Sequence, residues 1–213
     1  MSKLAARKQR NRRGSEDVWL DAAYEALIEG GIEAVKVMPL AENLDVSRTS
    51  FYWHFDDREA LLNALIEKWK EKNTGNLVRQ TQLFAETITE AVLNLFDCWI
   101  DPELFDARLD FAMRSWAQGS PELKSTFEEA DAERIEAICA MFARFGFDAY
   151  HAHIRANTIY LTQIGYISMK ADEPLPERIR HMPAYVETVT GRTPSQSEIE
   201  RFMARHQERL AGE

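Results

Sequence analysis

The stretch that decides the fold runs Lys36-Val37-Met38-Pro39-Leu40-Ala41-Glu42-Asn43-Leu44-Asp45-Val46-Ser47-Arg48-Thr49-Ser50-Phe51-Tyr52-Trp53-His54-Phe55. Leu40 and Leu44 stand one helical turn apart and face inward together. Ala41 falls where two helices cross closely, and a larger side chain there forces them apart. Asp45 sits at a turn; Asp enters the left-handed region less easily than Gly but more easily than most residues. Val46 plugs the junction, Ser47 is an N-cap, and Phe51 and Phe55 return to the core from a second helix extending to Phe55. Two short helices about a tight turn make a helix-turn-helix, whose second helix enters the major groove of DNA. The residues alone leave a second reading open, in which Phe51 to Phe55 form an aromatic-rich core corner.

Under the first reading the exposed face carries Arg48, Thr49, Ser50 and Trp53, with parts of Tyr52 and His54. Arg offers a bidentate donor pair to guanine, and Thr or Ser meets base edges or the thymine methyl. Tyr52 and His54 donate to phosphate oxygens, which positions a protein on DNA without reading sequence. The net charge of −9 is unevenly spread. Lys3, Arg7, Lys8, Arg10, Arg12 and Arg13 precede the first acid, Glu16, so residues 1–14 form a basic arm. Residues 14–75 carry six basic and thirteen acidic side chains, a net −7. A local basic cluster attracts phosphate whatever the overall sign, and a solvated terminus is the plainer alternative.

Outside this segment, helical periodicity dominates and no two-residue alternation appears. Ser15 caps a first helix bearing Trp19, Ala23, Ala26 and Leu27, which Gly30-Gly31 ends. Asp56-Asp57 opens another through Leu61, Leu62, Leu65, Ile66 and Trp69, and Asn73-Thr74-Gly75-Asn76 reads as a break. Longer helices follow: Leu77 to about Ile100, one ending near Gly119, one closing at Gly146, and one over 149–170. A helix through Ile179, Met182, Tyr185 and Val186 contains Pro183. A last helix starts at Ser195, with Glu198 completing a capping box and Ile199, Phe202 and Met203 inward. The expected class is all-α: a three-helix DNA-binding domain over 15–75, then a larger helical ligand-binding and dimerisation body over 76–213. Cys98 and Cys139, far apart and in apolar surroundings, read as buried free thiols of a reducing, cytoplasmic compartment. No apolar run approaches the ~20 residues needed to cross a bilayer, and no hydrophobic stretch follows the basic N-terminus, so no secretory signal is expected.

The segment from Val37 to Leu62 resembles the DNA-binding domain of tetracycline-repressor-type (TetR) regulators. The resemblance is carried by Leu40-Ala41, Val46-Ser47-Arg48, Phe51-Tyr52-Trp53-His54-Phe55 and Arg58-Glu59-Ala60-Leu61-Leu62. It implies base reading by Arg48, Thr49 and Ser50, with Trp53 on the same face. It implies phosphate contacts by Tyr52, His54, Arg58, Ser47 and Lys36. Two positions depart from the pattern: Lys36 stands where a hydroxyl residue is common, and Asp45 where Gly is common. The same resemblance implies a ligand-responsive repressor, acting as a homodimer on a palindromic double-stranded operator and gated by a small-molecule effector.

Within the helix over 149–170, the stretch Ile159 to Met169 is apolar on most of its circumference, with Gly165 permitting close approach, as a dimer contact or a central core helix requires. Phe96, Trp99, Phe111, Met113, Trp116, Met141 and Phe142 are candidate pocket walls, with Thr162 and Gln163, beside Asn157 and Thr158, as polar orienting groups; plain core packing is the alternative. A helical enzyme would need inward Glu-x-x-His pairs, and the sequence has none. Neither a Gly-rich phosphate loop nor a nucleophile elbow is present. No enzyme activity, cofactor or metal is therefore expected. The alternatives are a helical adaptor of the same fold that does not bind DNA and, last in order, a helical-bundle enzyme.

Overall fold

The computed structural model describes residues 15–171 and 173–211. Helices α1 (Glu16–Gly30), α2 (Val37–Leu44), α3 (Arg48–Phe51), α4 (Arg58–Trp69), α5 (Asn76–Gln82) and α6 (Ile88–Ile100) come first. They are followed by α7 (Ala107–Ala117), α8 (Pro121–Arg144), α9 (Ala149–Ser168), α10 (Leu175–Thr190), α11 (Gln196–Arg205) and α12 (Gln207–Ala211). No strand occurs among the described residues. The chain divides into two compact units, one of the residues up to Lys70 with Arg108–Lys124, the other of Glu71–Ala107 with Ser125 onward.

In the first unit, α1 ends where Gly31 takes φ 70 and donates its N–H to the Leu27 carbonyl. That positive φ suits a residue without Cβ. A 3-10 turn, Ile32–Ala34, leads into α2. Asp57 caps α4 by accepting from the Ala60 N–H at 2.8 Å, at the helix end where a carboxylate also meets the dipole. Trp19, Ala23, Leu27, Leu40, Ala41, Phe51, Leu61, Leu65 and Trp69 form the buried core. The sequence boundary at residue 75 leaves out one tie of this unit. Trp69 Nε1 donates to Asp110 Oδ1 at 2.9 Å, and Arg114 Nε donates to Asp110 Oδ2 at 3.0 Å. Asp110 is wholly buried, so its charge depends on these donors.

Asn73-Thr74-Gly75-Asn76 is not a break. The helix passes through it as a π-type segment, Lys70–Gly75, because its polar residues are fastened by tertiary bonds. Asn73 Nδ2 donates to the Asp106 carbonyl at 3.0 Å, and the Asp106 N–H returns a bond to Asn73 Oδ1 at 3.0 Å. Thr74 Oγ1 accepts from Arg134 Nε at 2.8 Å. Arg134 is fully buried on α8 and also donates to the Tyr160 hydroxyl at 3.0 Å. Tyr160 in turn donates to Asp131 Oδ1 at 2.6 Å. The helix expected from Leu77 to Ile100 is two helices, parted between Gln82 and Ile88, with Thr87 capping α6.

The last helices close on α6 through polar groups. The capping box of Ser195 and Glu198 is present. The inward face, however, carries Glu198, Phe202 and His206, while Met203 is exposed. Tertiary partners explain the inversion: His206 Nε2 lies 2.8 Å from Asp97 Oδ1, Arg205 Nε 2.9 Å from Asp97 Oδ2, and Arg201 pairs with Glu90 at 2.8 Å. Glu198 Oε1 accepts from Thr89 at 2.9 Å and from Thr87. Burial raises the Glu198 carboxyl, but the bonds from Thr87, Ser195 and Thr89 outweigh it and hold the group below its ordinary value. A lowered folded value means stability that is present above the unfolded value and lost as pH falls through the folded one. Glu198→Ala should therefore cost about 1–2 kcal/mol at pH 7. The gap between wild type and variant should close below about pH 4, as urea midpoints at the two pH values will report.

Candidate nucleic-acid interface and cavity

The turn between α2 and α3 rests on Asp45, at φ 54 and ψ 45, whose N–H closes on the carbonyls of Ala41 and Glu42. Val46 N–H donates to the Ala41 carbonyl at 3.1 Å. Ser47 is extended at the N-cap of α3, but its side chain makes no capping bond. Regular helix ends at Phe51, and tight turns carry the chain to Phe55, whose N–H reaches the Phe51 carbonyl at 3.0 Å. Phe51 meets Trp19 edge-on at 5.2 Å and stacks on Phe55 at 5.4 Å. Both Phe residues are buried, and they hold the short helix so that its other side faces solvent.

That outer side presents Ser47, Arg48, Thr49, Tyr52, Trp53 and His54, all exposed. Trp53 is 75% exposed. Arg48 Nη2 donates to the Tyr52 hydroxyl at 2.9 Å, and its guanidinium lies 5.6 Å from the Tyr52 ring centroid. The pair pre-orients a bidentate donor beside a phenol. Ser50 departs from expectation: it is 7% exposed and donates to the Ser47 carbonyl at 2.7 Å, so it braces the helix and does not face outward. Lys36 is exposed at the N-cap of α2, 3.7 Å from Glu33. The arm residues Arg7, Lys8, Arg10, Arg12 and Arg13 lie outside the described residues.

Arg58 also differs from its expected phosphate role. Its Nε donates to the Val35 carbonyl at 2.6 Å and its Nη2 to the Ile32 carbonyl at 2.8 Å. The side chain thus clamps the 3-10 turn before α2 and fixes the angle at which the helix-turn-helix leaves α1. Arg58→Ala leaves two carbonyls without a charged donor and should cost about 1–3 kcal/mol in thermal or urea unfolding. A variant of wild-type stability would return Arg58 to the solvent face.

In the second unit, α6, α9, α10 and Glu173 line a half-open cavity of about 160 Å³. Of the expected lining residues, Phe96, Trp99, Thr162 and Gln163 are there, joined by Thr158. Phe111, Met113 and Trp116 are not; they stand on α7, in the first unit. Met141 and Phe142 are fully buried core on α8. Sequence reasoning missed Tyr166, Glu173, Arg178, Met182, Tyr185 and Val189, all of which line the space.

Polar groups cluster on one wall of this cavity. Arg178 Nη2 donates to Gln163 Oε1 at 3.2 Å, and its guanidinium lies 5.8 Å from the Tyr166 ring centroid. Burial pulls Arg178 below its ordinary value, with Glu173, Tyr166 and Tyr185 opposing. The Tyr166 and Tyr185 hydroxyls are 2.6 Å apart. That bond, and then burial, push Tyr185 up to about 12, so it is uncharged at neutral pH. Glu173 Oε1 lies 2.7 Å from His181 Nδ1. Glu173 Oε2 and Trp99 Nε1 are buried with no hydrogen-bond partner among the described residues. No cluster of three metal-ligating side chains occurs among those residues, and no described helix is long and apolar enough to cross a membrane.

Residues 20–65 match the family described as "Bacterial regulatory proteins, tetR family". A tetracycline repressor protein of class G from Vibrio anguillarum is 34% identical over 74 residues, which is 34% of this chain and 35% of the relative. A class A tetracycline repressor protein from Escherichia coli is 40% identical over 52 residues, 24% of each chain. The match thus spans about a third or less of these relatives' length. A crystal structure assigned to the TetR family, from Mesorhizobium loti MAFF303099, superposes with a TM-score of 0.56 at 15% identity. It covers 91% of this chain and 96% of that one, a likeness of fold along nearly the whole length.

Proposed function

We infer that this chain is a cytoplasmic transcriptional repressor of the tetR family of bacterial regulatory proteins, which binds a palindromic double-stranded operator as a homodimer and responds to a small effector. The observation that carries the reading is the exposed face of α3 and the turns after it. Arg48, Thr49, Tyr52, Trp53 and His54 stand in solvent on an element whose opposite side, Phe51 and Phe55, is locked in the core. Arg48 and Thr49 can meet base edges, while Tyr52, His54, Ser47 and Lys36 supply donors for phosphate. An aromatic corner packed for stability alone would bury the run, not leave Trp53 outside.

The dimer rests on α9. Tyr150, Ile154 and Leu161, with Met169 just past the helix, fall on one stripe and are exposed, Leu161 at 59% and Met169 at 82%. A Cβ added at Gly165, on the same stripe, would meet nothing within 4 Å. So large an apolar stripe asks for cover, and a second copy gives a closed two-fold assembly. Two reading elements related in this way address half-sites roughly 34 Å apart. The relatives' names speak of repression and of tetracycline. Because the sequence likeness to these relatives covers about a third of the chain or less, the effector's chemistry has to come from this chain's own cavity.

Selection from a random DNA pool by the full chain tests the reading. A palindromic consensus with half-sites about one helical turn apart is the expected result, and it fixes readout and symmetry together. No enrichment over the starting pool would overturn it in favour of a helical adaptor.

A further inference from the structure

The geometry points to an uncharged phenol, one aromatic ring bearing a hydroxyl, as the kind of molecule the α6–α9–α10 cavity binds. This rests on reading that cavity as the effector site and names the chemistry of what enters it. The walls set the body of the ligand. Phe96, Trp99, Ile159, Met182 and Val189 are apolar or aromatic, and a space of about 160 Å³ is close to the roughly 150 Å³ of an apolar cavity that holds benzene.

The polar wall sets the substituent. Arg178 and Glu173 bring one charge of each sign to the lining, so a charged ligand of either sign would meet a like charge. Glu173 Oε2 is a buried acceptor without a donor. Arg178 makes one bond, to a neutral amide oxygen, and a guanidinium has five N–H groups to place. A hydroxyl is a single group that donates and accepts at once. Placed here, its proton goes to Glu173 and its lone pairs take the Arg178 N–H. Gln163 and the Tyr166 ring hold Arg178 from behind. A simple phenol ionises near 10, as tyrosine does, and is neutral at pH 7.

Three probes of one shape separate the possibilities: 4-ethylphenol, 4-ethylanisole and 4-ethylbenzoate, titrated calorimetrically into the full chain at pH 7. The expected result is 4-ethylphenol at least about tenfold tighter than either of the others, the value of one well-made hydrogen bond to a charged partner. Glu173→Ala should erase the gap between phenol and anisole while leaving anisole binding intact, which also reports that the variant is folded. Phe96→Trp, which fills the cavity, should weaken all three. A preference for the benzoate, or equal affinities in the wild type, overturns the phenol assignment and leaves the cavity as a binding site. No binding by any probe, or binding indifferent to Phe96→Trp, overturns the cavity reading and the assignment together.

Discussion

Phe51→Ala should lower the stability of the N-terminal unit by about 3–5 kcal/mol, a large share of a domain's whole margin of order 5–15. Phe51 is fully buried, and its ring is the centre of the cluster with Trp19, Phe55 and Tyr52. Truncation leaves a cavity bounded by two rings that cannot collapse into it without moving α1 against α3. Trp53→Ala two positions along should change stability by less than about 0.5 kcal/mol, because its side chain touches mostly water. Urea unfolding followed by far-UV dichroism separates the two variants. A loss below about 1 kcal/mol at Phe51 would mean that its ring does not anchor the run in the core. DNA affinity should drop in both, in Phe51→Ala through the fold and in Trp53→Ala without it.

What the sequence made legible was the part written in local rules. Asp45 is left-handed at the turn, Gly31 ends α1, and Ser195 with Glu198 forms a capping box. Each of these depends on residues within four positions. What escaped depends on partners far along the chain. Arg134 sits in an acidic stretch that suggests a wet helix face, yet it is buried against Thr74 and Tyr160. Glu198 and His206 occupy inward positions only because Thr87, Thr89 and Asp97, more than a hundred residues away, receive them. Asn73 and Thr74 resemble a helix break for the same reason. Ser50 was misplaced by its small polar side chain, which bonds backward to its own turn as serine readily does. The cavity wall did leave one signal: Arg178, Met182, Tyr185 and Val189 recur at helical spacing, so that Arg178 lies on an apolar stripe. Phe111 and Trp116 carried no sign that they belong to the other unit.

Deleting residues 2–13 should weaken operator binding by two or more orders of magnitude at moderate salt and flatten its salt dependence, with no change in the thermal midpoint of residues 15–211. The argument is one of charge. The reading element stands on a segment, residues 14–75, with a net −7, and Asp45, Asp56 and Asp57 near that face are exposed. Such a surface repels a phosphate backbone beyond the few contacts that Arg48, Lys36, Tyr52 and His54 can make. Five of the six basic side chains in the segment already have partners: Arg58 holds carbonyls, and Lys36, Lys68, Lys70 and Lys72 pair with Glu33, Asp21, Glu67 and Glu103. Lys3, Arg7, Lys8, Arg10, Arg12 and Arg13 are the concentrated positive charge nearest in sequence. Each phosphate neutralised adds about 0.9 to the steepness of log affinity against log salt, so losing three to five contacts lowers it by roughly 2.7–4.5. Titrations of the full and shortened chains against the selected operator, from about 50 to 200 mM salt, measure the difference. Equal affinities and parallel slopes would mean that the acidic domain holds DNA by itself, and base contacts at Arg48 and Thr49 would then have to carry far more of the binding than such contacts ordinarily do.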